Sequence, residues 1–337
     1  YGRNGTATTF ALTETIADLE GADLSCVFSS GKTAIMAALL AFLKAGDHLL
    51  MVDSAYGPSR QLALGLLKRF GVSTTFYEPT ARPEDIKKHI RPETKVIYAE
   101  SPGSLTFEVQ DIPSISTLAH DSGAVVILDN TWASPLFCNP FKLGVDVSIH
   151  AGTKYIVGHS DVMLGVVSAN KHNSDYIQKV FEEVGACPSA DDCYLALRGL
   201  RTLSVRLETH QKNGFILAEW FSKRSEVKQV LHPGLTDFPG HDIWKRDFTG
   251  ASGLFGVVLN NCSEVSVTNM LESLQLFGMG YSWGGFESLA IPTWPEKLRS
   301  IRKFDYGDIY LRIHAGLENS KDLIEDLNSG FSLLKPN

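Results

Sequence analysis

The chain has 337 residues, 44% of them apolar and 20% charged, with a formal charge of −7 and a pI of about 5.8. That is enough chain for a large core and most simply two domains, with the composition of a soluble globular protein. The acidic balance argues against a nucleic-acid partner or an anionic membrane surface, and no apolar run approaches the ~18 residues of a membrane span.

The opening stretch YGRNGTATTF carries no apolar segment of the secretory kind. From residue 12 to about 170 short apolar runs recur, at 26–28, 48–52, 72–77, 95–99, 124–128, 145–149 and 162–168. Helical patterns at 33–44, 58–69, 83–90 and 111–121 separate most of them. This alternation predicts a mainly parallel sheet with helices on both faces. Ligands of such sheets gather beyond the carboxyl ends of the strands. The polar residues that follow the runs therefore matter: Ser29-Ser30, Asp53 with Tyr56, Glu100-Ser101, Asp129-Asn130 and Thr153-Lys154.

A long helical stretch starts near residue 190 (CYLALRGLRTLSVRLETHQKNGFILAEWF). Beyond it come strands at Val227–Leu231 and Gly253–Leu259, a helix at Ser266–Leu276, a strand at Tyr310–His314 and a helix at Lys321–Leu334. This is a smaller α+β domain, with the boundary placed near residue 201. The charges of RGLRTLSVRL read as helix surface, and Trp244 as a domain-interface residue. The five cysteines, Cys26, Cys138, Cys187, Cys193 and Cys262, are scattered without a C-x-x-C pair. They suggest neither a zinc site nor a disulfide framework, and a reducing cytoplasm is the natural compartment. His150 and His159, nine residues apart, have the wrong spacing for a helical metal pair, so no metal site is expected.

Ser30-Gly31-Lys32-Thr33 looks like the tail of a phosphate-binding P-loop. That loop needs a glycine five places before Gly31, and the chain has Cys26 there. What remains is a strand, a small polar turn and a helix start, whose free N–H groups suit one phosphate; a serine cap without ligand is the plainer reading. Each of the other candidates also has a plain reading. Asp129 at a strand end could cap a turn, or it could await a cation. Lys154 could be a solvated lysine, Tyr56 a turn-packing ring, and Arg312 a salt-bridged strand residue, although its planar fork also suits a carboxylate. Pyridoxal phosphate chemistry uses all five features at once: a lysine, an acid for the ring nitrogen, a phosphate cup, a stacking ring and an arginine for the substrate carboxylate. Periodicity alone does not separate this cofactor from a nicotinamide. The one G-x-G near-match, Gly278-Met279-Gly280, lacks the third glycine and the βαβ setting.

The ordered stretches YGRNGTATTFALTETIADLEGA, SSGKTAI, DSAYGPS, ESPGSLTFEVQDIP, ILDNTWA, GTKYIVGHSDVMLG, RGLRTLSVRL, GHDIWKRDFTGASGLF, YSWGGFESL and YLRIHAGLENSKDLI resemble the Cys/Met-metabolism family of fold-type-I pyridoxal phosphate enzymes. Within it they are most similar to the cystathionine β-lyases, from Tyr1 to about Leu334. The resemblance implies an aspartate-aminotransferase-like α/β fold. It divides the chain into an arm (1–11) reaching a neighbouring subunit, a cofactor-binding large domain (12–201) and a small domain (202–337). It makes Lys154 the Schiff-base lysine, Asp129 the partner of the pyridinium nitrogen, and Tyr56 the ring that stacks. Gly31 and Lys32 would hold the phosphate by backbone N–H groups, with the Thr153 hydroxyl and with Tyr1 and Arg3 from the neighbour. Arg312, helped by Ser282 and Trp283, would hold the substrate carboxylate. The implied reaction is α,β-elimination of L-cystathionine to L-homocysteine, pyruvate and ammonia, with cystine-type substrates also accepted. Lys154 takes the Cα proton, and Lys154 or Tyr56 protonates the leaving sulfur. The implied assembly is a homotetramer of dimers with shared sites.

Two positions depart from or refine the pattern. Ala151 stands three places before Lys154, where relatives often carry serine; Ser104 follows the ESP turn, as in β-lyases. The nearest rival is a γ-acting relative, a cystathionine γ-synthase or methionine γ-lyase. Trp283 stands where γ-enzymes resemble S-L-G-G, and Pro58 stands where methionine γ-lyases carry a reactive cysteine. A pseudoenzyme that keeps the fold as a binding protein is the rival of a different class, and the intact set of Lys154, Asp129, Tyr56 and Arg312 speaks against it.

Overall fold

The structure is a computed structural model, and it describes residues 1–301 and 309–335. In chain order the large sheet is built from α1 (Ala7–Glu20), β1 (Leu24–Phe28), α2 (Gly31–Leu40), β2 (His48–Val52), α3 (Gly57–Leu62), β3 (Ser73–Tyr77), α4 (Pro83–Lys87) and β4 (Thr94–Glu100). Then come α5 (Ile112–Asp121), β5 (Val125–Asp129), α6 (Ser134–Phe137), β6 (Val147–His150), β7 (Gly165–Ala169) and α7 (Ser174–Val184). The rest comprises α8 (Ala190–Leu200), α9 (Leu203–Phe221), β8 (Val227–Leu231), α10 (His241–Asp247), β9 (Leu254–Leu259), α11 (Glu264–Ser273), β10 (Leu289–Thr293), β11 (Ile309–His314) and α12 (Ser320–Phe331).

The first sheet has seven strands in the order β1-β7-β6-β5-β4-β2-β3. The strands β6, β5, β4, β2 and β3 pair in parallel, whereas β7 runs antiparallel to both of its neighbours. Consequently β1 to β6 all point their carboxyl ends to one edge. The central strands are apolar throughout: Val126, Ile127 and Leu128 are at most 1% exposed, because helices cover both faces. Burying each such side chain is worth roughly 1.5–3 kcal/mol. The second sheet, β10-β11-β9-β8, is antiparallel and packs on α9, α11 and α12 around Phe221, Phe255 and Phe331.

Several expectations need adjustment. Helix α1 begins at Ala7, within the stretch 1–11 expected as an arm, behind a Thr6–Thr9 capping box, and is closed by Gly21, whose φ of 71° suits glycine. Its weak amphipathic pattern hides it from a periodicity search. The expected strand at 162–168 becomes β7 at Gly165–Ala169, because residues 162–164 are irregular and lie outside the ladder with β1 and β6. The long helix breaks between α8 and α9 at Arg201-Thr202. Arg206 is buried rather than on the helix surface, donating to the carbonyls of Tyr155 (2.9 Å) and Gly199 (2.8 Å). The helix α7 and the edge strand β10, with its internal Pro292, lay outside the expected elements.

Candidate active site

The common edge of β1, β2, β4, β5 and β6 collects the polar residues that follow those strands. At the end of β1, Ser30 caps α2, its hydroxyl accepting the Thr33 N–H (3.2 Å). The N–H groups of Gly31 and Lys32 precede the first intrahelical bond, so helix geometry gives them no backbone partner. A Cβ added to Gly31 would lie 2.8 Å from Ala151 Cβ, and one added to Gly165 would lie 2.1 Å from the Ser30 carbonyl oxygen. Two glycines thus let the α2 start press directly against the β6 exit and the β7 entry.

At the end of β5, Asp129 is buried, and burial pushes its carboxyl above the ordinary range. Thr131 donates to Oδ1 through both its N–H (3.1 Å) and its hydroxyl (2.5 Å), while the Tyr98 hydroxyl reaches Oδ2 at 3.4 Å. The same Thr131 hydroxyl accepts the Ala151 N–H (2.9 Å), so it locks the β5 exit to the β6 exit. Glu100, at the end of β4, accepts the Tyr56 N–H (2.7 Å). Burial and then the neighbouring Asp129 push Glu100 well above the usual carboxylate range. Burial, followed by Glu100 and Asp129, also raises the Tyr56 phenol, so it stays protonated near neutrality. Glu100 was among the polar residues picked out after the apolar runs, whereas Thr131 does not stand out in the sequence; its place two residues beyond β5 was the available signal.

Lys154 follows β6. Its Nζ donates to Ser282 Oγ (2.8 Å) and lies 5.3 Å from the centre of the Trp283 ring. Burial, then the Arg312 guanidinium, lowers this amine to about 8. Arg312 projects from β11 and is itself lowered to about 10, by burial. Its Nη2 donates to the carbonyls of Gly280 (3.2 Å), Tyr281 (2.8 Å) and Ser282 (3.2 Å). These three bonds hold the loop that carries Ser282 and Trp283, and they leave Nε and Nη1 out of that task.

The remaining expected residues sit as follows. The Thr153 hydroxyl donates to the Leu164 carbonyl (3.1 Å) and accepts the Leu164 N–H (2.8 Å). Tyr1 is 90% exposed, and Arg3 donates to the Glu182 carbonyl (3.0 Å) at the end of α7. Within one chain, then, the recorded contacts of these two lie away from Lys154. His150 shares a buried contact with Glu20 (2.7 Å), and His159 lies 2.7 Å from the Val157 carbonyl.

The arrangement joins an anion-binding helix start, a buried carboxyl in want of a cation, an amine of lowered basicity and a buried guanidinium. Comparison with known proteins agrees with this chemistry. Residues 1–332 match the family described as Cys/Met metabolism PLP-dependent enzyme. A cystathionine beta-lyase of Salmonella typhimurium is 43% identical, over 98% of this chain and 85% of its own. An L-alanine/L-glutamate racemase of Wolbachia pipientis is 39% identical, over 99% of this chain and 83% of its own. The crystal structure of metB from Corynebacterium glutamicum superposes with a TM-score of 0.91 at 33% identity, covering 98% of this chain and 86% of that one.

Proposed function

The chain belongs to the Cys/Met metabolism PLP-dependent enzymes, and from that premise we propose that it is a carbon–sulfur lyase taking L-cystathionine to L-homocysteine, pyruvate and ammonia by α,β-elimination. The observation that carries this reading is the Lys154 amine, lowered to about 8 and held 2.8 Å from Ser282 Oγ beside Arg312. The residues fit pyridoxal phosphate. The Asp129 carboxyl, raised by burial, is a natural partner for a cationic ring nitrogen, and the tight Gly31–Ala151 contact leaves the α2 N–H groups open to a phosphate.

In this reading Lys154 binds the cofactor through its amine. Gly31 and Lys32 hold the phosphate by their N–H groups, with Thr153 beside them and with Tyr1 and Arg3 reaching in from a neighbouring subunit. Asp129 would pair with the ring nitrogen and Tyr56 would lie against the ring. Pyridoxal phosphate, when bound, supplies an electron sink for the pair left at Cα. Arg312 pairs with the substrate α-carboxylate and orients Cα toward Lys154. The Lys154 amine, free once the substrate's own amine has displaced it from the cofactor, would take the Cα proton; with a pKa of about 8, roughly a quarter of such freed amines would be neutral at pH ~7.5. Ser282 Oγ fixes the direction of that amine. As the Cβ–S bond breaks, Lys154 or the protonated Tyr56 phenol delivers a proton to the sulfur. Water completes the release of pyruvate and ammonia.

We further place the domain boundary near residue 201, where α8 gives way to α9, with residues 12–201 as the cofactor-binding domain and 202–337 as the small domain. The assembly is a homotetramer of dimers with shared sites, which the exposure of Tyr1 supports. A cytoplasmic location is supported by five free cysteines; among the described residues no helix is long and apolar enough to cross a membrane.

Incubation with L-cystathionine and mass-spectrometric identification of the keto acid tests the reaction. Pyruvate is expected. 2-Oxobutyrate would replace the reading with γ-elimination. Interconversion of L- and D-alanine with no keto acid would favour racemisation, the activity named for the Wolbachia relative.

A further inference from the structure

We propose that His314 is a positioning residue: its imidazole clips the turn from Ser282 to Glu287 at two points, and so aims Ser282 and Trp283 at Lys154. The proposal rests on the functional reading above. Residues 312 and 314 lie two apart on β11, on one face of the strand. Arg312 takes the carbonyls of residues 280–282, and His314 takes the next part of the same loop. The Gly284 N–H donates to His314 Nε2 (3.0 Å), and His314 Nδ1 donates to the Glu287 carbonyl (3.1 Å). One neutral tautomer, protonated on Nδ1, satisfies both ends. Burial, then His210, holds this imidazole well below its ordinary range, so it stays neutral although Arg312 and Lys154 are near.

The clip bears directly on the reacting amine. Gly284 has φ of 82°, and a Cβ added to it would lie 2.9 Å from the Lys154 Cα and carbonyl carbon. The loop therefore rests on the Lys154 backbone itself. Beneath it the Tyr155 ring packs on Trp283 (5.5 Å), His210 (5.3 Å) and His314 (6.1 Å), giving the turn a rigid floor. The far end is anchored separately, since Glu318 accepts the Ser288 N–H (2.7 Å) and O–H (2.8 Å). Loss of His314 should thus free residues 282–285 while leaving 288 in place. The consequence falls chiefly on substrate fit, because Ser282 and Trp283 sit on the loop that helps Arg312 hold the substrate carboxylate in that reading.

The test compares two variants of the holoenzyme. His314→Met has a similar length but neither hydrogen bond; His314→Gln offers an acceptor and a donor from one amide. Hydrogen–deuterium exchange is followed in the peptide spanning 280–287, together with KM and kcat for cystathionine. In His314→Met, exchange of that peptide quickens and KM rises, each roughly tenfold, for a lost buried hydrogen-bond pair, while kcat falls less. His314→Gln restores both toward wild type. Should His314→Met not fold, His314→Ser, which leaves a cavity and cannot span the two ends, is read in the same way. Wild-type exchange and KM in the loss variant overturns the proposal, as does a folded His314→Gln variant as impaired as His314→Met. The exchange arm needs no turnover, so a wild-type protein inert toward cystathionine would refute the lyase reading without touching the clip.

Discussion

Gly31→Ala is the sharpest probe of the phosphate cup. The new methyl would sit 2.8 Å from Ala151 Cβ and 3.0 Å from Ala151 Cα, against ordinary carbon contacts of about 3.5–4.0 Å. Close to an ångström of space must therefore open. Ala151 cannot retreat freely, because its N–H is bonded to the Thr131 hydroxyl (2.9 Å), and Thr131 in turn holds Asp129. The start of α2 has to move instead. Overpacking of this kind costs ~1–3 kcal/mol, while the better helix propensity of alanine returns at most ~1 kcal/mol. Overpacking wins. Because the displaced groups are the N–H donors of the cup, most of the cost appears as weaker cofactor binding, roughly 5–100-fold at 1.4 kcal/mol per decade. The assay is titration of apoprotein with pyridoxal phosphate, followed by absorbance, with a thermal melt of the apoprotein as control. The pair Gly31→Ala with Ala151→Gly removes the nearest contact and should recover most of the affinity, a coupling read as a double-mutant cycle. A single variant with wild-type affinity and wild-type melting would refute the reasoning.

Lys154→Ala abolishes turnover and the visible absorbance of the cofactor adduct, whereas Lys32→Ala keeps most activity because only its N–H is used; equal losses would give the Lys32 side chain an essential role. With Lys154 as the proposed base, freed only after substrate binds, and its amine lowered to about 8, kcat rises with pH through that value; a flat kcat profile from pH ~6.5 to ~9.5 argues against a lysine base. Asp129→Asn retains the cofactor, since the remaining oxygen still accepts from Thr131, but loses ~100-fold or more in turnover for one buried electrostatic partner; near-normal rates contradict its role. Arg3→Ala mixed with Lys154→Ala under subunit exchange recovers up to about a quarter of wild-type activity, as two-fold symmetry with crossed sites requires; confirmed exchange without recovery sinks the shared site, given that Arg3→Ala alone is severely impaired.

Much of the large domain was legible in the chain itself. The runs that became β2, β4 and β5 are apolar because both faces of a parallel sheet are covered, so their composition alone marks them. The residues directly after those runs, Asp129 and Tyr56 among them, could be picked as candidates because a parallel sheet presents its strand ends at one edge. Sequence could not give the order β1-β7-β6-β5-β4-β2-β3 or the reversal of β7. Those depend on which turns close; here Gly165 admits the Ser30 carbonyl where no side chain would fit. Nor could it show Arg206 as a buried tie to Tyr155, since its charge reads as surface until a partner carbonyl is in place. The geometry around Lys154 was the least legible. Ser282 lies 128 positions away along the chain, and its approach is set by Arg312 and His314 acting on a loop without periodicity. Local sequence determines which segments can be strands and which side chains stand at their ends. Only the packing of distant segments decides which of those side chains meet, which lose water, and which amine is thereby lowered to about 8, below the range of a surface lysine.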